Sequence, residues 1–290
     1  MKENSCNNQE PSVQIDQSQI GKAIGRHKYA VLKSKPKEEL TGIELHQIEV
    51  YEARGKLSAE SAKKMAAYFE MIRRPKVEKI ITFTAKELYD AFQNTFNEMY
   101  GKKYELTEES LDNLSPLIYY FSKDERFFEC KNLSRASKPS FEKGLLVIGG
   151  YGNGKTSCMK VFEKLMRPIK GKSFKGYTAN EVVTMFEKCK EDSDRSEFED
   201  IMYKGQRYFD DLKTERIASN YGKVNIFKEI LEERYIRQSR TFVTSNYKEN
   251  HPNDLKLGIE EFGEKYGDRV YDRIFEMFNI IEFKGQSFRK

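Results

Sequence analysis

The stretch Gly144–Ser157, GLLVIGGYGNGKTS, leaves this chain few folds to adopt. Leu145–Ile148 is a short apolar run that reads as a buried strand, and Cys158–Met166 reads as a helix stopped by Pro168. Between them Gly149, Gly154, Lys155 and Thr156 keep the spacing G-x-x-x-x-G-K-T. Glycines let such a loop turn tightly enough for backbone N–H groups to face one oxyanion, and the helix N-terminus adds about half a positive charge there. The spacing predicts a phosphate cradle formed by Gly149, Gly150, Tyr151, Gly152, Asn153, Gly154, Lys155, Thr156 and Ser157. Lys155 is placed to reach β- and γ-phosphates, and the Thr156 hydroxyl to ligate Mg²⁺. A glycine loop with an exposed lysine, and a loop that binds nucleotide without turning it over, stand as alternatives.

Composition sets the outer bounds. The 290 residues suffice for one large domain or two modest ones. A third of them are charged and the mean hydropathy is -0.76, so a soluble chain is expected. There is no Trp, but 17 Tyr and 20 Phe can fill a core. The net charge of +5 permits nucleic-acid contact without arguing for it. Cys6, Cys130, Cys158 and Cys189 lack metal-ligand spacing and suit a reducing cytoplasm. The N-terminal MKENSCNNQE has no apolar core of a signal peptide, and no apolar run approaches membrane-spanning length.

Three segments are expected: a disordered polar tail at 1–35, a helical partner-binding module at 36–110 and a nucleotide domain at 111–290. The tail is rich in Asn, Gln, Ser and Lys. A helix is expected over Leu57–Arg74, with Ser58 as cap and Pro75 as stop. A second starts at the Thr84–Glu87 capping box, carries Leu88, Phe92, Phe96 and Met99, and closes at Gly101. A third runs from about Thr107 to Ser122. The aromatic stripes read as core, with a partner-docking face as the alternative. After the loop helix, Lys170, Lys172, Phe174, Lys175 and Tyr177 interleave bases with aromatics, the composition of single-strand binders, or else of an exposed edge. Thr178 and Glu181 cap a further helix.

Three more stretches bear on chemistry. QRYFDDL, Gln206–Leu212, is a strand ending in two acids: Asp210 is the candidate for holding Mg²⁺ and Asp211 for polarising an attacking water. RTFVTSNY, Arg240–Tyr247, places Asn246 at a strand tip, where an amide can orient that water. GDRVYDRIFEMF, Gly267–Phe278, is helical, with Arg269 and Arg273 four apart on one face. They read either as an arginine finger reaching a neighbouring subunit or as surface arginines paired with Asp272 or Glu276.

Taken in order, GYGNGKT, FDDL with Glu215, Tyr221–Gly222, Glu233–Tyr235, TFVTSN, GDRVYDRIFEMFN and FKGQSFR resemble the AAA+ ATPases of the DnaC/DnaI helicase-loader group, a clade that includes the transposition ATPase IstB. The resemblance covers about 111–290. It implies an α/β fold with a five-stranded parallel sheet and little or no C-terminal lid, and an ATPase using ATP and Mg²⁺; the short reach of the Asp211 carboxylate leads to the expectation of slow, switch-like hydrolysis. It assigns Lys155 and Thr156 to Walker A, Asp210 and Asp211 to Walker B, Asn246 to sensor 1 and Arg273 to the arginine finger. The implied partners are a replicative helicase, or a transposase on the IstB side, together with single-stranded DNA and further copies of the chain. A P-loop small-molecule kinase and a non-hydrolysing scaffold are the readings outside that clade. Lys213 departs from the group, which often has glycine after Asp-Asp-Leu, and Asp211 stands where many AAA+ enzymes carry Glu.

Overall fold

The computed structural model describes residues 24–73, 83–220 and 222–288. The chain divides into two compact units, 1–79 and 80–290.

The first unit contains helix α1 (Arg26–Lys33) and helix α2 (Gly42–Arg73). Residues 26–33 fall in the expected polar tail, yet they are helical because Tyr29 and Leu32, three apart, share a face. Tyr29 stacks on Tyr51 at 4.2 Å and its hydroxyl donates to Glu52 Oε1 at 2.9 Å. The helix expected to begin at Ser58 instead begins at Gly42 and runs through that position. Its start signal is Thr41-x-x-Glu44: the Thr41 amide donates to Glu44 Oε2 at 2.9 Å, and the Glu44 amide donates to Thr41 Oγ1. The rest of the tail and the expected stop at Pro75 lie outside the described residues.

The second unit opens with α3 (Ala85–Tyr100) and α4 (Glu108–Ser122). Then follow β1 (Gly144–Gly149), α5 (Lys155–Met166), β2 (Lys175–Thr178), α6 (Ala179–Glu187), α7 (Asp192–Tyr203) and β3 (Arg207–Leu212). A short antiparallel pair, β4 (Ala218–Ser219) and β5 (Lys223–Val224), precedes α8 (Ile226–Ile236). β6 (Thr241–Asn246), α9 (Leu255–Tyr266), α10 (Asp268–Met277) and β7 (Phe278–Phe283) complete it, and no helix follows β7 among the described residues. Five strands form one sheet in the order β2-β3-β6-β1-β7, parallel throughout.

Alternation along β1 builds two cores. Leu145 and Val147 face a layer with α3, α4 and α5, while Leu146 and Ile148 face one with α6 to α10. Capping boxes start four helices of this unit: Thr84 with Glu87, Thr107 with Ser110, Thr178 with Glu181 and Glu191 with Asp194. Gly101 ends α3 in the left-handed region at φ 67°. The aromatic stripe of α3 is core: Phe92 is fully buried, with its ring 5.4 Å from Phe162 of α5 and 5.3 Å from Tyr104. So α3 belongs to the unit that holds the sheet, and the expected boundary at 110/111 falls inside that unit. Phe174 and Tyr177 are core residues too, which leaves the basic stretch around them without aromatic faces for bases to stack on.

Phe92→Ala is expected to cost about 3–5 kcal/mol of unfolding free energy in the sheet unit. Met65→Ser, at an exposed position on α2, should change stability by no more than about 0.5 kcal/mol. Denaturant titration of both variants checks the assignment of α3.

Candidate functional site

The loop after β1 turns where two chain segments crowd it. A Cβ on Gly149 would lie 2.3 Å from the Phe283 carbonyl oxygen and 2.5 Å from Asn153 Nδ2, so only hydrogen fits. Gly154 caps α5 at φ +93°, a conformation that side chains resist. Asn153 fixes the loop from within by donating to the Phe283 carbonyl at 2.7 Å. Lys155, the first residue of α5, is 6% exposed. Its ammonium donates to Gly149 O (2.8 Å), Gly150 O (2.7 Å), Asn246 Oδ1 (3.1 Å) and Asn153 Oδ1 (3.3 Å).

The two acids reach the same cavity because β3 bulges. Phe209 pairs with Val243 and Leu212 with Ser245, so Asp210 and Asp211 together face the single residue Thr244. In a regular strand neighbouring side chains point to opposite faces. Here Asp211 adopts φ +60°, and both carboxylates line one cavity. Thr244 Oγ1 serves both: it donates to Asp210 Oδ1 at 2.6 Å and accepts from the Asp211 amide at 2.9 Å. Thr156 Oγ1 donates to Asp210 Oδ1 at 2.9 Å, and the Tyr208 hydroxyl donates to the same oxygen. Burial, reinforced by that carboxylate, pushes the Tyr208 phenol well above its ordinary range and keeps it a donor. Asn246 Nδ2 donates to Asp211 Oδ1 at 2.6 Å, so this one amide joins the Lys155 ammonium to the Asp211 carboxylate.

The cavity measures about 430 Å³. It is lined by Tyr151–Ser157, Asp210, Asp211 and Asn246, together with Phe96, Tyr100, residues 102–105 and Phe288. Gly149 and Gly150 take part through their carbonyls. Thr156 and Asp210 offer a cation one hydroxyl and one carboxylate, and no cluster of three or more His, Cys, Asp or Glu able to hold a metal occurs among the described residues. Such a sparse, hard-oxygen set fits Mg²⁺, which keeps several waters and takes further oxygens from bound phosphates.

Arg273 lies apart from this cavity. Its guanidinium packs over the Tyr235 ring at 4.5 Å, with Nη1 buried and without a hydrogen-bond partner. Arg269 on the same helix is exposed, and neither arginine forms an ion pair with Asp272 or Glu276 among the described residues. Lys213 stands at φ +80°, where glycine would be unstrained. Its buried ammonium donates to Asn246 O (2.9 Å), Gly258 O (3.1 Å) and the Glu261 carboxylate, tying the end of β6 to α9. Tyr208 and Thr244 were not singled out from the sequence. Each sits two residues before a selected one, Asp210 and Asn246, and residues two apart share a strand face, so strand periodicity carried the signal.

The sheet, the glycine loop and the paired carboxylates define a P-loop α/β domain. Among solved structures the chain is similar to that of the DnaC helicase loader, at 18% identity and a TM-score of 0.45, over 67% of this chain and 98% of that one. It is also similar to the structure of DnaI, at 20% identity and a TM-score of 0.36, over 51% of this chain and 73% of that one. No family model and no curated protein matches the chain.

Thr244→Val keeps the shape but strips the hydroxyl from both its partners. It should cost about 1–3 kcal/mol of stability, whereas Thr244→Ser should stay near wild type. Thermal unfolding of the two variants reads the difference.

Proposed function

We propose that the protein is an ATP-dependent DNA-replication accessory factor of the helicase-loader kind, with slow, switch-like turnover. The observation that carries this reading is Asn246, whose amide touches Lys155 on one side and Asp211 on the other. Lys155 is coordinated by loop carbonyls that phosphate oxygens can replace. When it turns to a β- or γ-phosphate it lets go of Asn246, and the amide is freed to orient a water beside Asp211. Nucleotide state is thereby coupled to the tip of β6 through differential contacts. Thr156 and Asp210 would hold Mg²⁺, which when bound would supply charge neutralisation to the phosphates. Asp211 accepts the water's proton, and its short side chain favours slow hydrolysis. Arg273, which lies apart from its own cavity, serves the site of an adjoining copy as an arginine finger.

The replicative helicase is proposed as partner from the ordered motifs of the second unit, with the helices of the first unit as the grip. Single-stranded DNA contact falls to Lys170, Lys172 and Lys175. Because Phe174 and Tyr177 are buried, that contact is with phosphates and is strongly salt-dependent. The cytoplasm is the proposed site of action.

Lys155→Ala should abolish nucleotide binding in equilibrium titrations. Asp211→Asn should keep binding but slow turnover about 10²-fold or more, the usual share of a general base, and chelation of Mg²⁺ should stop turnover in the wild type. Mixing inactive Lys155→Ala and Arg273→Ala chains should restore part of the activity. Absence of rescue in co-assembled material sinks the shared site. Retrieval of a recombinase instead of a helicase by the full chain moves the assignment to the transposition ATPases.

A further inference from the structure

The phosphate chemistry accounts for only part of the cavity. Its lining also carries Tyr100, Tyr151 and Phe288, which are 36%, 70% and 39% exposed. Three partly open aromatic rings around a single concave site are unusual on a surface where large apolar groups normally scatter singly. The volume of about 430 Å³ sits in the range of whole small-molecule sites, about 300–1,000 Å³.

Phe288 is held there by construction. The segment leaving β7 is pinned by buried Asn113, which accepts from the Lys284 amide at 2.9 Å and donates to the Lys284 carbonyl at 2.8 Å. Asn132 donates to the same Asn113 oxygen at 2.9 Å, fixing the amide's orientation. The chain then turns at Gly285, φ +101°, and the Phe288 amide donates to the Gly152 carbonyl at 3.1 Å. This places the Phe288 ring at van der Waals distance, 4.0 Å, from a Cβ built on Gly154, at the mouth of the phosphate loop.

We infer that Phe288 is a ligand-binding residue that stacks on the purine base of the nucleotide, making the segment after β7 the base-side wall of the site. The inference rests on the nucleotide reading above and adds the base contact to it. A triphosphate held along Gly152–Thr156 lies within reach of the Phe288 ring, which sits beside Gly152 and Gly154. The ring supplies a π-face and the Gly152 bond holds it in place, so little ordering is left to binding.

The chain has no tryptophan, so Phe288→Trp creates a single-tryptophan reporter in the full-length protein. ATP should quench that fluorescence, while inorganic tripolyphosphate, which carries no base, should bind without quenching. Phe288→Ala should weaken ATP by about tenfold, the scale of one base–aromatic stack, and leave tripolyphosphate affinity unchanged. ATP affinity unchanged or raised in Phe288→Ala, or an equal loss for both ligands, overturns the base contact while the phosphate site stands. A wild-type protein that binds neither ligand overturns the nucleotide reading and the inference together.

Discussion

An ammonium group withdrawn from water must be surrounded by oxygen, because leaving it bare costs several kcal/mol. At Lys155 that demand is met by the end of β1, by the loop and by the end of β6. Two segments far apart in sequence, the β1–loop stretch and the tip of β6, are thereby brought into one register. The parallel pairing of Gly149 with Asn246 makes the meeting possible, since it sets the two strand tips level. The rest of the site follows: Asn246, held by the lysine, reaches Asp211, and Thr244 two residues earlier reaches Asp210.

Much of this was legible in the sequence because it depends on local spacing. The glycine loop, the strand before it and the helix after it are one contiguous pattern, and Thr84, Thr107 and Thr178 announce their helices by chemistry confined to four residues. Asp210, Asp211 and Asn246 were legible because each closes a short β-rich run downstream of the glycine loop, although Arg207 interrupts the apolar pattern of β3. What escaped detection depends on pairing between distant segments. The bulge opposite Thr244 is a mismatch between two strands and leaves no mark on either alone. The attachment of α3 to the sheet unit required knowing that Phe92 meets Phe162, seventy positions on. The long helix α2 has a capping signal at Thr41–Glu44, which the later Ser58 obscured.

At the opposite end of β6 a second buried cation performs a purely structural task. Arg234 is fully buried, and donates to Thr241 Oγ1 and to the carbonyls of Met202, Gly205 and Arg240 at 2.6–2.8 Å. It satisfies the Met202 and Gly205 carbonyls around the end of α7, and gives the Arg240 carbonyl, which also accepts from the Arg207 amide, a second donor. Lys213 does the corresponding work near the site, with a backbone conformation less favourable than glycine's offset by three hydrogen bonds that join β6 to α9. Helix α9 leads directly into α10 and Arg273, so the acids and the arginine belong to one continuous packed assembly.

The left-handed backbone at Asp211 also bears on which acid can stand there. Aspartate and asparagine tolerate that region better than longer side chains, for which it costs about 1–2 kcal/mol. A glutamate would extend further into the cavity but would sit less comfortably on the kinked strand that aims it. The preference for the shorter acid therefore has its origin in main-chain geometry, and reach toward substrate is settled only after the strand has chosen its shape.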